Sequence, residues 1–314
     1  MAGFVVRRVA QALIVLLGVS VVVFAIVHLV PGDPIRVSMG PRFNQATYER
    51  LRERAGFDLP LVVQYGRYLA NAVTGDLGVS FFDGAPVTTK LLQRLPATMS
   101  LAGAALVVAL LIAVPLGVTS AIHSGSKRDY AATVFSQAGI SIPDFWMGIM
   151  FILLFAGVLG WLPPSGYVSP FDSPLGWLSH LVMPAVTVGL VSGSILTRFV
   201  RSAVLESLGE DYTRTARAKG LRERVIVFRH VLRNALVPII TVTGLQLAYL
   251  LGGVIIVEVI FAWPGLGQLA LLAVQNRDYP VLQGAVLLIA VVFLLINLIV
   301  DLLYAAVDPR IRYR

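Results

Sequence analysis

Six cations, Arg214, Arg217, Lys219, Arg222, Arg224 and Arg229, crowd into the stretch DYTRTARAKGLRERVIVFRH (211–230), against only Asp211 and Glu223. Groups of this kind make no bonds by themselves. They either hold a loop on the cytoplasmic side of a membrane or dock a surface of another protein. The local pattern predicts a short helix over 211–219, because no proline or glycine intervenes and Ala216, Arg217 and Ala218 are good helix formers. Glu206, Glu210 and Asp211 suit its N-terminal end, and the basic residues toward Lys219 suit its C-terminal end. Gly220 stands where a left-handed residue would stop it. Tyr212, Ala216 and Gly220 recur at intervals of four, so they share one face. Small residues on that face would let the helix sink into a groove on another surface. At about 15 Å such a helix is a plug, too short to be a span.

Covalent and metal chemistry find no support. The four histidines, His28, His123, His180 and His230, are scattered, and the chain has no cysteine, which excludes disulfides and thiolate metal sites. None of the three lysines, Lys90, Lys127 and Lys219, follows a GxxxxGK[ST] phosphate loop, and HExxH, GxSxG and EF-hand patterns are missing. No catalytic residue and no metal site is expected.

The elements that carry the basic stretch belong in a bilayer. Of 314 residues 57% are hydrophobic and 13% charged, about half the charge of an average globular chain, and the mean hydropathy is +0.82. Six apolar stretches, 9–30, 97–122, 133–157, 181–197, 234–257 and 281–300, predict six crossings. Most reach the ~20 residues a helix needs. Helices are required because the bilayer core offers backbone groups no water, and the short alternating segments of a membrane barrel are not seen. The first stretch starts with Arg7 and Arg8 but ends in HLVPGDP without a small-residue cleavage site, and is read as a retained anchor.

Charge distribution sets the orientation. Nine of the 25 lysines and arginines lie between Arg198 and Arg233, two near Lys127 and two at positions 7 and 8, whereas 161–180 has none. The positive-inside rule therefore predicts both termini in the cytoplasm. That topology explains the net charge of +8 without nucleic acid. The resulting segments are 1–30 (tip and first crossing), 31–96 (an extracytoplasmic helical cap), 97–304 (core with five crossings and the cytoplasmic loop 201–233) and 305–314 (cytoplasmic tail). Within the cap, 44–57 reads as a charged helix, 60–75 as an amphipathic one that starts at Pro60, and 75–87 as a loop.

Polar groups inside crossings cost about 2.5–3.5 kcal/mol when charged, which singles out a few positions as pore or gate candidates. Asp144 interrupts an apolar run at 131–162 directly after Pro143, where a helix must either begin or kink. Ser141, Gln246, Glu258 and Trp263 complete that set. Glu258 falls at the end of the fifth crossing, where hydration or a structural pair would suffice. Trp146, Trp161, Trp177 and Trp263 fall near predicted borders, where an interfacial belt is the ordinary reading.

The basic stretch also resembles something known. DYTRTARAKGL (211–221) is similar to the coupling loop of peptide-type permeases of ATP-binding-cassette (ABC) importers. The superfamily pattern is E-A-A-x3-G-x9-I-x-L-P. With Gly220 fixing the register, Thr215 and Ala216 take the alanine positions and Arg214 stands at the glutamate, while His230, Leu232 and Arg233 fall at I, L and P. The general pattern is thus kept only in part, but the peptide-permease branch carries the DY-x-RTARAKG-L form found here. LVPGDP (29–34), GDLGVS (75–80), RLPATMSL (94–101), SIPDFWMG (141–148), FAWPGLGQL (261–269), NRDYPVLQG (276–284) and DPRIRY (308–313) resemble blocks of the same branch in the same order. The resemblance is closest to the "B" permease subunit of dipeptide or oligopeptide importers.

That resemblance implies an all-α polytopic membrane protein with six transmembrane helices, a type I ABC-importer permease fold and a small extracytoplasmic cap between helices 1 and 2. It implies that Asp211, Tyr212, Arg214, Thr215, Ala216, Arg217, Ala218, Lys219, Gly220 and Leu221 form a helix coupled to an ATPase. The implied partners are a second homologous permease, two ATP-binding subunits that carry ATP and magnesium, an extracytoplasmic substrate-binding protein and a peptide cargo, in a bacterial inner membrane. The chain itself would be a pore subunit without enzymatic activity or cofactor. The competing class is an ion-coupled secondary transporter independent of ATP. Such carriers often show inverted repeats and mid-membrane carboxylates, and here no repeat is visible and only Asp144 lies deep.

Overall fold

Apolar stretches in this chain can satisfy their backbone groups only by coiling, and the computed structural model is helical almost throughout. It describes residues 2–29, 32–39 and 43–307. The block at 308–313, the tail from 308 and two positions of the 29–34 block therefore lie outside the described residues. Among the described residues fourteen α-helices follow one another: α1 (Ala2–Leu29), α2 (Pro34–Met39), α3 (Gln45–Ala55), α4 (Leu61–Val73), α5 (Val87–Ile122), α6 (Lys127–Ser141), α7 (Asp144–Phe151), α8 (Pro174–Gly209), α9 (Asp211–Ala218), α10 (Glu223–Val225), α11 (Leu232–Gly253), α12 (Ile255–Ile260), α13 (Leu266–Gln275) and α14 (Tyr279–Val307). Wide π-helical turns extend α7 over Ile152–Val158 and join α10 to α11 over Ile226–Val231. Among the described residues the one extended pairing is an isolated bridge of Val79 with Pro86.

Among the described residues five segments are long and apolar enough to cross a membrane: Val5–Leu29, Val87–Ile122, Pro174–Gly209, Glu223–Gly252 and Tyr279–Leu302. The expected crossing at 133–157 is not one rod. It is the pair α6 and α7, bent by 96°, and it makes a sixth crossing if the pair counts as one span. The cause is local. Pro143 has no N–H and disfavours helix at the residue before it, and Ile142 is extended at φ −87°, ψ 122°. The stretch at 181–197 proves to be the middle of a 36-residue helix. Ser173 caps its start by accepting from the Gly176 N–H at 3.1 Å, with Pro174 next in line, and the charged turns beyond Arg198 continue it. Hydropathy marks only the apolar part of such a helix.

The chain divides into two compact units. Unit 1 comprises Ser100–Trp263 with the chain from Ile296. Helix α8 is its hub and packs against α6, α7, α9, α11 and α12. Close approach is what makes this possible. A Cβ on Gly189 of α8 would meet Val108 of α5 at 2.7 Å and the Ala105 carbonyl at 2.9 Å, the small-residue packing by which membrane helices associate. Ser136 of α6 donates to the Ser194 carbonyl of α8 at 2.5 Å.

Unit 2 comprises Ala2–Met99 with Pro264–Leu295, so it gathers α1–α4, the start of α5, α13 and most of α14. Asn44 caps α3 by accepting from the Thr47 N–H, and the left-handed Gly56 (φ 71°) ends it. Helix α4 follows Pro60 as the sequence predicts and is tied to α1 through Gln64. Its Oε1 accepts from His28 Nε2 at 2.9 Å, and its Nε2 donates to the Leu59 carbonyl at 2.7 Å.

Candidate functional site

The basic stretch does form the expected helix, α9, and its two ends follow from its sequence. The Leu221 N–H bonds the Ala216 carbonyl at 3.3 Å and the Gly220 N–H bonds the Arg217 carbonyl at 2.9 Å. This is the paired C-terminal motif that needs a left-handed residue, and Gly220 supplies it at φ 74°. At the other end Thr213 Oγ1 donates to the Ser207 carbonyl at 2.9 Å, and the Thr213 N–H reaches the Glu210 carbonyl at 3.0 Å. Ser207 in turn donates to the Val231 carbonyl at 3.1 Å and pairs with the Tyr212 hydroxyl. Three segments, the end of α8, α9 and the π-turn at 226–231, are thereby locked together.

The inward face differs from the expectation. Ala216 is 6% exposed and lies in one hydrophobic core with Ala109, Leu196, Val200, Ile226, Val231 and Ala235. The small residue at the middle of the Tyr212–Ala216–Gly220 face therefore sinks into the chain's own bundle. Thr213 and Ala216, three apart and therefore on one face, are both uncharged and small enough to enter a packed core. What α9 presents outward is Asp211, Tyr212, Arg214, Thr215, Arg217, Ala218 and Lys219, with Gly220 and Leu221 at its end. The Arg214 side chain is 74% exposed and meets Asp211 only at 3.4 Å, whereas Arg217 holds Glu223 at 2.6 Å. Both pairs sit in solvent, where such bridges contribute about 0–1 kcal/mol, so they yield readily to another partner.

The pore candidates fall on several separate elements. Ser141 closes α6, exposed, with its hydroxyl on the Gln137 carbonyl at 2.8 Å, and half-buried Asp144 opens α7 on the far side of the break. Gln246 is buried in α11 and donates to Ser192 of α8 at 2.9 Å. Glu258 and Trp263 lie together, with the Trp263 N–H on the Glu258 carbonyl at 2.7 Å. Trp263 is fully buried and stands edge-to-face against Tyr167 at 4.8 Å. It does not belong to an interfacial belt, because the left-handed Ala262 (φ 49°) turns its ring inward. Glu258 is likewise buried, and α12 is a separate short helix beyond the end of α11. Among the described residues no cluster of three or more His, Asp or Glu side chains could hold a metal ion.

Two further clusters escaped the sequence reading. Arg201 of α8 grips Asp129 of α6 with two bonds, Nε to Oδ1 at 2.7 Å and Nη2 to Oδ2 at 2.9 Å. Ser120 at 2.5 Å and the Gly125 N–H at 2.9 Å complete the carboxylate's shell. In unit 2, Asp278 accepts from Ser80 Oγ at 2.5 Å and from the Phe81 N–H at 3.1 Å. Burial pushes its carboxyl above the ordinary range, and the two hydrogen bonds oppose that shift. Ser80 and Asp278 come from the blocks GDLGVS and NRDYPVLQG, 198 positions apart, and nothing local to either block pairs them.

Comparison with known proteins places this architecture. Residues 113–313 match the family of binding-protein-dependent transport system inner membrane components, and residues 1–102 match the N-terminal region model of such membrane components. The chain is 42% identical over 313 residues to a putative peptide transport system permease protein of Brucella abortus (strain 2308), with all of both chains covered. It is 41% identical over 320 residues to the oligopeptide transport system permease protein AppB of Bacillus subtilis (strain 168), again over the full length of both. Among solved structures, an inward-facing conformation of the MetNI methionine ABC transporter (CY5 native crystal form) superposes with a TM-score of 0.58 at 21% identity, covering 69% of this chain and 96% of that one.

Proposed function

Because the chain belongs to the family of binding-protein-dependent transport system inner membrane components and has a type I ABC-importer permease fold, we propose that its cargo is a peptide and that α9 couples it to an ATPase. Membership of the family implies ATP-binding subunits and a substrate-binding protein. The finer composition proposed is two ATP-binding subunits, which alone bind ATP and magnesium and hydrolyse the nucleotide, and a second homologous permease that completes the path. The chain is a multi-pass protein of the inner membrane. Its basic loops argue for both termini and α9 on the cytoplasmic side and the 31–96 segment on the other. The peptide cargo rests on the names of the full-length relatives.

One observation carries the coupling role: α9 is charged and exposed outside yet rooted by Ala216 in the same core as α5, α8 and α11. A push on its outer face therefore reaches the crossings through close-packed side chains. Nucleotide can shift the bundle between outward and inward openings only if ATPase closure binds one of those states better, and a rooted lever supplies that difference. Reconstitution tests the reading. Proteoliposomes with all subunits should accumulate a labelled dipeptide only with ATP inside the compartment that holds α9. Accumulation by this chain without ATP-binding subunits would instead establish an ion-coupled carrier.

A further inference from the structure

Two cavities in unit 2 share Val27 and Gln283 in their walls but differ sharply in chemistry. The first, about 430 Å³, lies where α1 ends and α14 begins, and its wall includes Arg67, Asp76, His28 and Tyr68. The second, about 510 Å³, runs along α1 and α14 between Val15, Gly18, Val22, Ile26 and Val286, with Gln283 its one polar residue. The groove descends twelve residues of α1, from Val27 to Val15, or about 18 Å at 1.5 Å per residue. One leaflet of hydrocarbon is about 15 Å deep. A polar chamber at the head of an apolar slot one leaflet long matches the plan of a lipid.

We propose that these cavities form a site for one phospholipid, with a headgroup carrying both phosphate and ammonium in the chamber and an acyl chain in the slot. The headgroup charge follows from the wall. Among the described residues the Arg67 guanidinium makes no hydrogen bond or ion pair, and its fork fits a phosphate with two bonds. Asp76 spends Oδ1 on the Gly78 N–H at 2.9 Å, which leaves Oδ2 to receive an ammonium. The Tyr68 hydroxyl is buried without a hydrogen-bond partner, an uncommon state for a polar group. Burial pushes its pKa up to about 12, so it remains a donor for a phosphate oxygen. In the slot, no atom lies within 4 Å of the Cβ position of Gly18, and that opening gives the acyl chain its room. The bound lipid would wedge α1 against α14 at the foot of the 31–96 segment.

Native mass spectrometry of the chain purified with its partner subunits tests this, with phosphatidylethanolamine and phosphatidylglycerol of identical acyl chains as the probes. The wild type should retain one phosphatidylethanolamine in preference to phosphatidylglycerol. Arg67→Ala, which removes the phosphate fork, and Gly18→Leu, which fills the slot, should each weaken retention about tenfold or more. Retention equal for the two lipids, or unchanged in both variants, overturns the proposal. The chain has no cysteine of its own, so Val22→Cys carrying a photoactivatable group gives a second measurement that does not depend on variant stability. A phospholipid adduct is expected in native membranes; an adduct to another polypeptide would show that a helix fills the slot and would end the idea.

Discussion

Unit 1 builds two charged clusters from the same residue types and puts them to opposite use. Around Asp129, whose side chain is 10% exposed, four hydrogen bonds converge on one carboxylate: two from Arg201, one from Ser120 and one from the Gly125 N–H. On α9 the arginines stand in solvent with long or exposed acidic neighbours. The first cluster ties α6 to α8 and closes the shell of its carboxylate. The second leaves its arginines in solvent, with bridges that contribute about 0–1 kcal/mol. What separates a bracing arginine from an exposed one is therefore how closely its acidic partner is enclosed and the access of water.

Substitutions can break or sharpen that contrast. Arg201→Ala should cause the largest loss, about 3 kcal/mol, because it strands a mostly buried carboxylate. A marked fall in the thermal unfolding midpoint of the detergent-solubilised protein is the expected reading, and an unchanged midpoint would erase the distinction between the clusters. Gly220→Ala should cost about 1 kcal/mol, since a Cβ is strained in the left-handed region. Its signature is fraying of α9 in amide hydrogen exchange with the crossings unaffected. Arg217→Ala should change stability by no more than about 0.5 kcal/mol in the same thermal assay. A larger loss would mean that the Glu223 pair is structural and that α9 is less available than its exposure indicates.

The sequence was legible where a single local rule decides. Helix α9 from Asp211, its stop at Gly220, the charged α3 and the proline-led α4 were all visible, because helix formers, glycines and prolines act over a few residues. The six apolar stretches were visible because the bilayer imposes them. The 96° break at Pro143 was half legible: the proline announced it, but a hydropathy window cannot tell a kink from a fold-back. Burial of Trp263 and Ala216 was hidden, since a tryptophan at a helix border and an alanine on a charged helix look exposed until the packing around them is known. The Asp129–Arg201 and Ser80–Asp278 pairs were hidden for a related reason. Their members lie 72 and 198 positions apart, and charge counting assigns each to its own loop. The candidate docking residues could be named beforehand; which of them point outward required the fold.

The most direct test of α9 as the lever is the substrate-stimulated ATPase rate of the reconstituted transporter carrying Ala218→Trp. Ala218 lies on the exposed side of α9, so an indole there should leave the unfolding midpoint in place while obstructing any surface that receives the helix. Stimulation by peptide and binding protein should fall about tenfold or more, the loss of roughly 1.4 kcal/mol of docking, with the basal ATPase rate unchanged. Full stimulation in that variant would mean that ATP hydrolysis reaches the bundle by some other contact, and the role assigned to α9 would be wrong.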